Sequence, residues 1–212
     1  MLFNNLLVEI KNIWDKNKKL FLFVVIVFIL SFIIGYSGLL DYYMGLIYNS
    51  FNKEVSSGNI QLTILSVLTH NLLSVLVTYC LGILFGLGSL FSLFQNGAFI
   101  GYFATQANSS GRLLDFILLI LPHGIFEFLG LFIVTVAGLR LGHFIIRMCD
   151  GFINGIASFN LKANLKYNFK HYISEIKESL KLLLISLLLF SIAAVIEVNF
   201  TVNFYNFIMS LI

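Results

Sequence analysis

The longest uncharged stretch of this chain runs from residue 55 to residue 111, which contains no Asp, Glu, Lys or Arg and a single histidine, His70. One helix of that length would extend about 85 Å, whereas the hydrocarbon core of a membrane is about 30 Å thick. The stretch must therefore fold back on itself. It predicts two antiparallel spans, at residues 60–80 and 86–106, joined by a tight turn that contains glycine.

Three further apolar runs predict the remaining spans. They cover residues 20–40, residues 113–146, and residues 182–212, where a last span is followed by an uncharged tail. The second of these runs is interrupted at Pro122. Because proline lacks the N–H group that a helix needs, we expect either one kinked span or a short re-entrant segment followed by a span.

Two segments combine charged and apolar residues at helical spacing. In residues 1–19 the apolar side chains lie opposite the charged ones, and in residues 147–181 lysines recur every four residues beside apolar side chains. Both patterns predict amphipathic helices at the membrane surface. Residues 41–59 are polar and predict a loop. The chain is thus predicted to be a single transmembrane domain, residues 1–212, with the first four spans in residues 20–146.

Composition narrows the class of protein. Of the 212 residues, 59% are hydrophobic and 11% are charged, and the mean hydropathy is +0.96. A soluble domain of this length is much less apolar. We therefore expect an all-α fold, a polytopic transmembrane helical bundle of about five spans. Nothing in the charge pattern points to nucleic acid, so none is expected as a partner.

The positions of the basic residues predict the orientation. Four lysines precede the first span, and seven Lys or Arg residues lie between Arg140 and Lys181, whereas the other two loops hold one basic residue each. Basic segments remain on the cytoplasmic side of a membrane. We expect a multi-pass protein of the cell membrane with a cytoplasmic N-terminus and an external C-terminus.

The rare polar residues of the spans are predicted to lie at one depth. Counted from the outer ends of the predicted spans, His70, Asn71 and Asn96 lie about 15 Å deep. On the fourth span, His123 and Glu127 lie about 12 and 18 Å deep and share a helix face. With the residues beside them, they form a candidate intramembrane polar site. Its members are His70, Asn71, Asn96, Gly97, Pro122, His123, Gly124 and Glu127.

Two interpretations of this site stay open at the level of sequence. A carboxylate near the midplane is costly, so Glu127 must be paired, protonated or next to water. The site could bind a proton, an ion or a lipid headgroup, or it could be a structural hydrogen-bond cluster. A metal held by His70, His123 and Glu127 is a third idea, but the second histidine of the His-Glu-x-x-His pattern is missing. We expect no metal, no cofactor and no enzyme activity.

Several motifs together resemble one known family. Asn71 heads an apolar run, Gly82 and Gly86 follow, and the pair Asn96-Gly97 is followed by Gly101. The most specific part is the string Leu-Pro-His-Gly-Ile-Phe-Glu at residues 121–127. These residues resemble the stage II sporulation protein M family over most of the chain. Carried over to this sequence, the resemblance points to Asn71, Asn96, Gly97, Pro122, His123, Gly124 and Glu127.

The resemblance also implies a role. In endospore-forming bacteria, the protein that gives the family its name looks like a membrane anchor and scaffold for peptidoglycan-degrading partners during engulfment. For this chain we accordingly expect a non-enzymatic scaffold or assembly factor. Its expected partners are membrane lipids, a second copy in a homodimer, and other membrane or cell-envelope proteins. The alternative is a small transporter or channel-like protein that moves an ion, a proton or a lipid past the polar site.

Overall fold

The computed structural model describes residues 2–56 and 63–212, with side chains described for residues 8–50, 53 and 63–212. These residues are almost entirely helical, and no strand occurs among them, so the predicted all-α fold is confirmed. The helices are α1 (Leu2–Tyr36), α2 (Asp41–Ser56), α3 (Ile64–Cys80), α4 (Leu87–Ser109), α5 (Leu113–Ala157), α6 (Leu161–Ile196) and α7 (Val202–Met209).

Four helical stretches of the described chain are long and apolar enough to cross a membrane. They are Val8–Tyr36, Ile64–Ile83, Leu113–Ala157 and Leu161–Met209, the last of which includes α6 and α7. The predicted third span forms helix α4, which contains Ser, Gln and Asn residues and is not among these four stretches. The chain is a helical membrane protein, and the number of five spans stays a prediction.

The N-terminal segment is not a separate helix. The prediction divided residues 1–19 from a span at residues 20–40, whereas α1 continues without interruption from Leu2 to Tyr36. The sequence has no glycine or proline before Gly35 that would end a helix there. The first residues of the predicted apolar face, up to Leu7, have side chains outside the described residues.

The predicted loop at residues 41–59 is largely helix α2. Met44 is buried and packs with Ala98 and Tyr102 of α4, so the apolar face of α2 has a tertiary partner. The serine- and glycine-rich end of that loop and the predicted start of the second span at residue 60 lie outside the described residues. Helix α3 begins after Thr63, whose side chain accepts a hydrogen bond from the Ser66 N–H at 3.3 Å.

Of the two alternatives expected at Pro122, the structure has the single helix, because α5 passes through Pro122 without a break. Over its length α5 packs against α6 as an antiparallel hairpin, closed by a turn at residues 158–160. Phe159 has a positive φ of 53° in this turn. The predicted amphipathic helix at residues 147–181 is therefore two helix ends that face each other, the last turns of α5 and the first turns of α6.

Small residues allow α4 to approach its neighbours closely. A side chain at Gly97 would collide with Ser31 of α1, and one at Gly101 would collide with the backbone at Phe32. Where α4 begins, Gly86 adopts a positive φ of 81° and lies against Gly142 of α5. Glycines at helix contacts are typical of membrane bundles, in which backbones pack at short distance.

Candidate intramembrane polar site

Helices α3 and α5 meet at a hydrogen bond between two predicted site residues. The Asn71 side-chain amide donates to Glu127 Oε1 at 3.0 Å. Asn71 is buried, and Glu127 is partly buried. These residues are 56 positions apart in the chain, so only the packing of α3 on α5 brings them together.

A second carboxylate, Glu197, completes the cluster, although it is not among the predicted site residues. Glu197 follows α6, and one ligand atom each of His123, Glu127 and Glu197 lies within 4.8 Å of the other two. The sequence contains one signal that could have identified it. Glu197 is the only charged residue between Leu182 and the C-terminus, which makes it an isolated acid in an otherwise apolar run.

A local change of helix type accompanies Glu197. Residues Glu197–Thr201 form one turn of π-helix between α6 and α7. Thr201 is buried, and its hydroxyl lies 3.2 Å from His123 Nδ1. Single π-helical turns inside α-helices occur frequently at functional sites. Here the turn brings an acid and a hydroxyl of the last span to the face of α5 that carries His123.

The cluster lies about halfway between Asp115 and Arg140, the nearest charged residues of α5 on either side of Glu127. Glu127 is 12 residues from Asp115 and 13 residues from Arg140, which corresponds to about 18 and 20 Å along the helix. With Asp115 and Arg140 taken as the two membrane boundaries, we expect the cluster near the midplane of a hydrocarbon core about 30 Å thick. A single charged side chain there costs at least about 2.5–3.5 kcal/mol, and two adjacent carboxylates also repel each other.

The donor set defines the chemistry that is possible. Two carboxylates and an imidazole suit a proton that is shared between acids, and they also suit a divalent metal ion such as Zn²⁺ or Mn²⁺. His123, Glu127 and Glu197 would supply the ligands. The hydrogen bond from Asn71 then orients the Glu127 carboxylate, as outer partners commonly do in such sites.

The remaining predicted residues do not contact the charged cluster through described hydrogen bonds. His70 is exposed on the outer face of α3, because neighbouring residues of a helix point about 100° apart and Asn71 faces inward. Asn96 donates to the Ser92 carbonyl of its own helix at 2.9 Å. Gly97 packs on α1, while Pro122 and Gly124 flank His123 within α5.

A second polar network lies where α1, α5 and α6 meet, 13 residues along α5 from Glu127. Arg140 donates to Asn17 Oδ1 at 2.5 Å, to Glu175 Oε2 at 2.6 Å and to the Lys16 carbonyl at 3.0 Å. Asn17 in turn donates to Glu178 at 3.1 Å. In the sequence, Arg140 stood out only as the first residue of the basic segment that predicts the orientation. The structure adds that its guanidinium joins three helices.

Comparison with known proteins identifies relatives over most of the chain. The sequence profile of the family described as Stage II sporulation protein M matches residues 20–202. Two uncharacterized proteins of Methanocaldococcus jannaschii are similar to this chain. One is 33% identical over 88% of this chain and 83% of the relative, and the other is 32% identical over 75% and 83%. No solved structure matches the chain.

Proposed function

Since the chain belongs to the Stage II sporulation protein M family and folds as a membrane helical bundle, we propose that it binds a small cation, a proton or a metal ion, within the membrane and moves it across. The observation that carries this proposal is the convergence of His123, Glu127 and Glu197 within 4.8 Å at the midplane. This role needs no covalent chemistry, so we propose that the protein is not an enzyme.

The charges of the cluster favour a cation over a purely structural role. A cluster that only joined helices could be built from amides and hydroxyls, as the Thr78–Ser92 hydrogen bond of 2.7 Å joins α3 and α4. Two neighbouring carboxylates do not stabilise a contact between helices unless a positive charge or a proton offsets their mutual repulsion. Intramembrane acids and histidines are typical of ion and proton pathways.

Flux measurements in liposomes test this proposal. Purified full-length protein is reconstituted, and the entry of protons, Zn²⁺ and Mn²⁺ is followed with internal dyes. We expect one of these cations to enter faster than in protein-free vesicles. Glu127→Gln and Glu197→Gln should each lower that flux at least about tenfold, because an amide neither carries the proton nor offers the negative charge.

Asp150→Asn provides the matched control, since this carboxylate is 47% exposed at the far end of α5, outside the cluster. Its flux should equal that of the wild type. Vesicles that remain as tight as protein-free vesicles for all three cations would contradict the transport function. Unchanged flux in both Glu→Gln variants would contradict the role of the cluster.

A second candidate function, a scaffold, is supported by the end of the α5–α6 hairpin. Beyond Arg140, α5 continues for 17 residues, or about 26 Å, which is too far to remain in the hydrocarbon core. We define residues 147–175 as the arm. At its tip Phe159 is 99% exposed, beside the exposed Ile153 and Ile156. An exposed apolar patch outside the membrane commonly marks a protein interface.

We propose that the arm lies on the cytoplasmic side, with an external C-terminus, and that its tip pairs with a second copy of the chain. A homodimer formed in this way would present two lysine-rich arms as a platform for membrane or cell-envelope proteins. The basic residues of the arm and of the N-terminal segment support the cytoplasmic side. Transport and self-association use different parts of the molecule and are compatible.

A further inference from the structure

A polar recess opens between the N-terminal part of α1 and the middle of α6. It has a volume of about 390 Å³. Its lining includes Glu9, Asn12, Ile13, Lys16, Glu178 and Lys181. The recess is close to the Arg140 network, because Glu178 accepts the hydrogen bond from Asn17.

The recess continues into an apolar groove between α1, α5 and α6. The two cavities share Glu9, Ile13 and Lys181, and the groove has a volume of about 660 Å³. Its walls are formed mainly by apolar side chains, including Trp14, Phe21, Leu129, Ile133, Ile185 and Leu188. A polar opening joined to an apolar cleft has the shape that an amphiphilic molecule requires.

The dimensions correspond to one leaflet of a membrane. From Lys181 to Leu189 the groove follows the apolar part of α6 for eight residues, or about 12 Å. Half of a hydrocarbon core is about 15 Å. Trp14 lines the groove between Glu9 and Phe21, and tryptophan favours the level of the lipid headgroups.

The charges of the recess are balanced. Lys181 Nζ lies 2.8 Å from Glu9 Oε1, and Lys16 Nζ lies 3.8 Å from Glu178 Oε2. Two ammonium groups and two carboxylates therefore face one small space. An anionic headgroup would satisfy the lysines and be repelled by the acids, whereas a headgroup that carries both a phosphate and an amine complements all four side chains.

We propose that this recess and groove bind one membrane phospholipid with a zwitterionic, primary-amine headgroup. Its phosphate contacts Lys16 and Lys181, its ammonium group contacts Glu9 and Glu178, and one acyl chain fills the groove as far as Leu129. The site is separate from the midplane cluster, so the inference does not depend on cation transport. A lipid held there bridges α1 and α6 beside the Arg140 network.

Native mass spectrometry of the full-length protein in detergent tests this inference. The probes are phosphatidylethanolamine and phosphatidylglycerol of identical acyl chains, titrated separately. We expect saturable binding of one phosphatidylethanolamine, with weaker binding of phosphatidylglycerol. Lys181→Ala should raise the dissociation constant about three- to fivefold, because the loss of one exposed ion pair lowers an affinity by about that factor. Ile185→Trp should abolish it by filling the groove.

Two variants serve as controls. Lys170→Ala removes an exposed lysine from the arm, and Leu73→Trp adds the same indole to an exposed position of α3. Both should bind phosphatidylethanolamine like the wild type. Equal or stronger binding of phosphatidylglycerol, binding that does not saturate, or wild-type binding by Lys181→Ala would overturn the inference. Because Lys181 is exposed, its variant remains informative even if Ile185→Trp does not fold.

Discussion

Individual polar side chains in this bundle are matched to specific partners. Among the described residues, no buried side-chain nitrogen or oxygen lacks a hydrogen-bond partner. Ser179 donates to the Ala137 carbonyl at 2.7 Å, and Ser186 donates to the Gly130 carbonyl at 2.8 Å, so two serines of α6 bind the backbone of α5. In a membrane such pairing matters, because lipid offers no replacement partner.

At this scale Arg140 offers a test of stability. Arg140→Met should destabilise the protein by about 3 kcal/mol, because it leaves Glu175 and the Asn17 side-chain oxygen without their donors in a site where the Arg140 side chain is only 14% exposed. That loss corresponds to a decrease in Tm of about 6–12 °C. Thermal unfolding in detergent, followed by circular dichroism, measures it.

The control for this measurement is Arg112→Met. Arg112 also pairs with a carboxylate, Asp115 at 3.0 Å, but its side chain is 71% exposed. An exposed pair contributes less than about 1 kcal/mol, so Tm should fall by no more than about 4 °C. Equal decreases in the two variants would show that Arg140 does not hold the three helices together.

At the scale of whole elements, α5 and α6 each contain more residues than one membrane crossing needs. A helix needs about 20 residues to cross the hydrocarbon core, whereas α5 has 45 residues and α6 with its extension to Met209 has 49. The excess is concentrated at one end, where the two helices pack against each other through Gly151, opposite Asn168, and Gly155, opposite Leu161. The hairpin is therefore longer than one crossing requires, and we expect the arm to lie outside the membrane.

Self-association through the tip of the arm is testable by covalent trapping. A cysteine introduced by Ser158→Cys, in a background in which Cys80 and Cys149 are replaced by alanine, should form a disulfide-linked dimer in membranes under mild oxidation. Phe159→Ser in that background should reduce the fraction of dimer at least about fivefold, because it removes the fully exposed apolar contact.

The comparison for the trapping experiment is Ser110→Cys, which lies in the turn between α4 and α5, at the opposite end of α5. This position should yield no dimer under the same conditions. A monomeric mass for the wild type in nanodiscs, together with no disulfide at residue 158, would exclude the proposed homodimer.

At the scale of the whole molecule, the contacts between helices define their relative directions. Phe28 of α1 packs on Phe128 of α5, while Asn17 of α1 meets Arg140, so these two helices run in opposite directions. Helix α4 runs with α1, since its Gly97 lies at Phe28 and its Gly101 at Phe32. These directions agree with a chain that crosses the membrane alternately.

Labelling with a membrane-impermeant thiol reagent tests the proposed orientation. The native Cys80 and Cys149 are both exposed, so both are first replaced by alanine. We expect Ser110→Cys to react in intact cells and Ser158→Cys to react only after the membrane is permeabilised. The reverse pattern would place the arm outside, and labelling of both positions in intact cells would contradict the transmembrane course of α5.

Much of the fold could be predicted from local pattern, and part of the site could not. The bounds of α4 differ by only a few residues from the predicted span at residues 86–106, because glycine and polar residues mark its ends. Helix α2 was missed, since its polar composition resembles a loop until Met44 is buried against α4. His70 and Asn71 are adjacent in sequence, and only the rotation of α3 determines that Asn71 faces Glu127.

The sequence by itself determined that this chain is a helical membrane protein, and it predicted a common depth for His70, Asn71, Asn96, His123 and Glu127. Both conclusions follow from the order of apolar and polar residues, because each residue advances a helix by a constant 1.5 Å. The tertiary structure decided that Glu197 completes the cluster and that α5 continues through Pro122 into the arm. Those features depend on which helix faces pack together, and facing partners far apart in the chain leave no periodic signal within it.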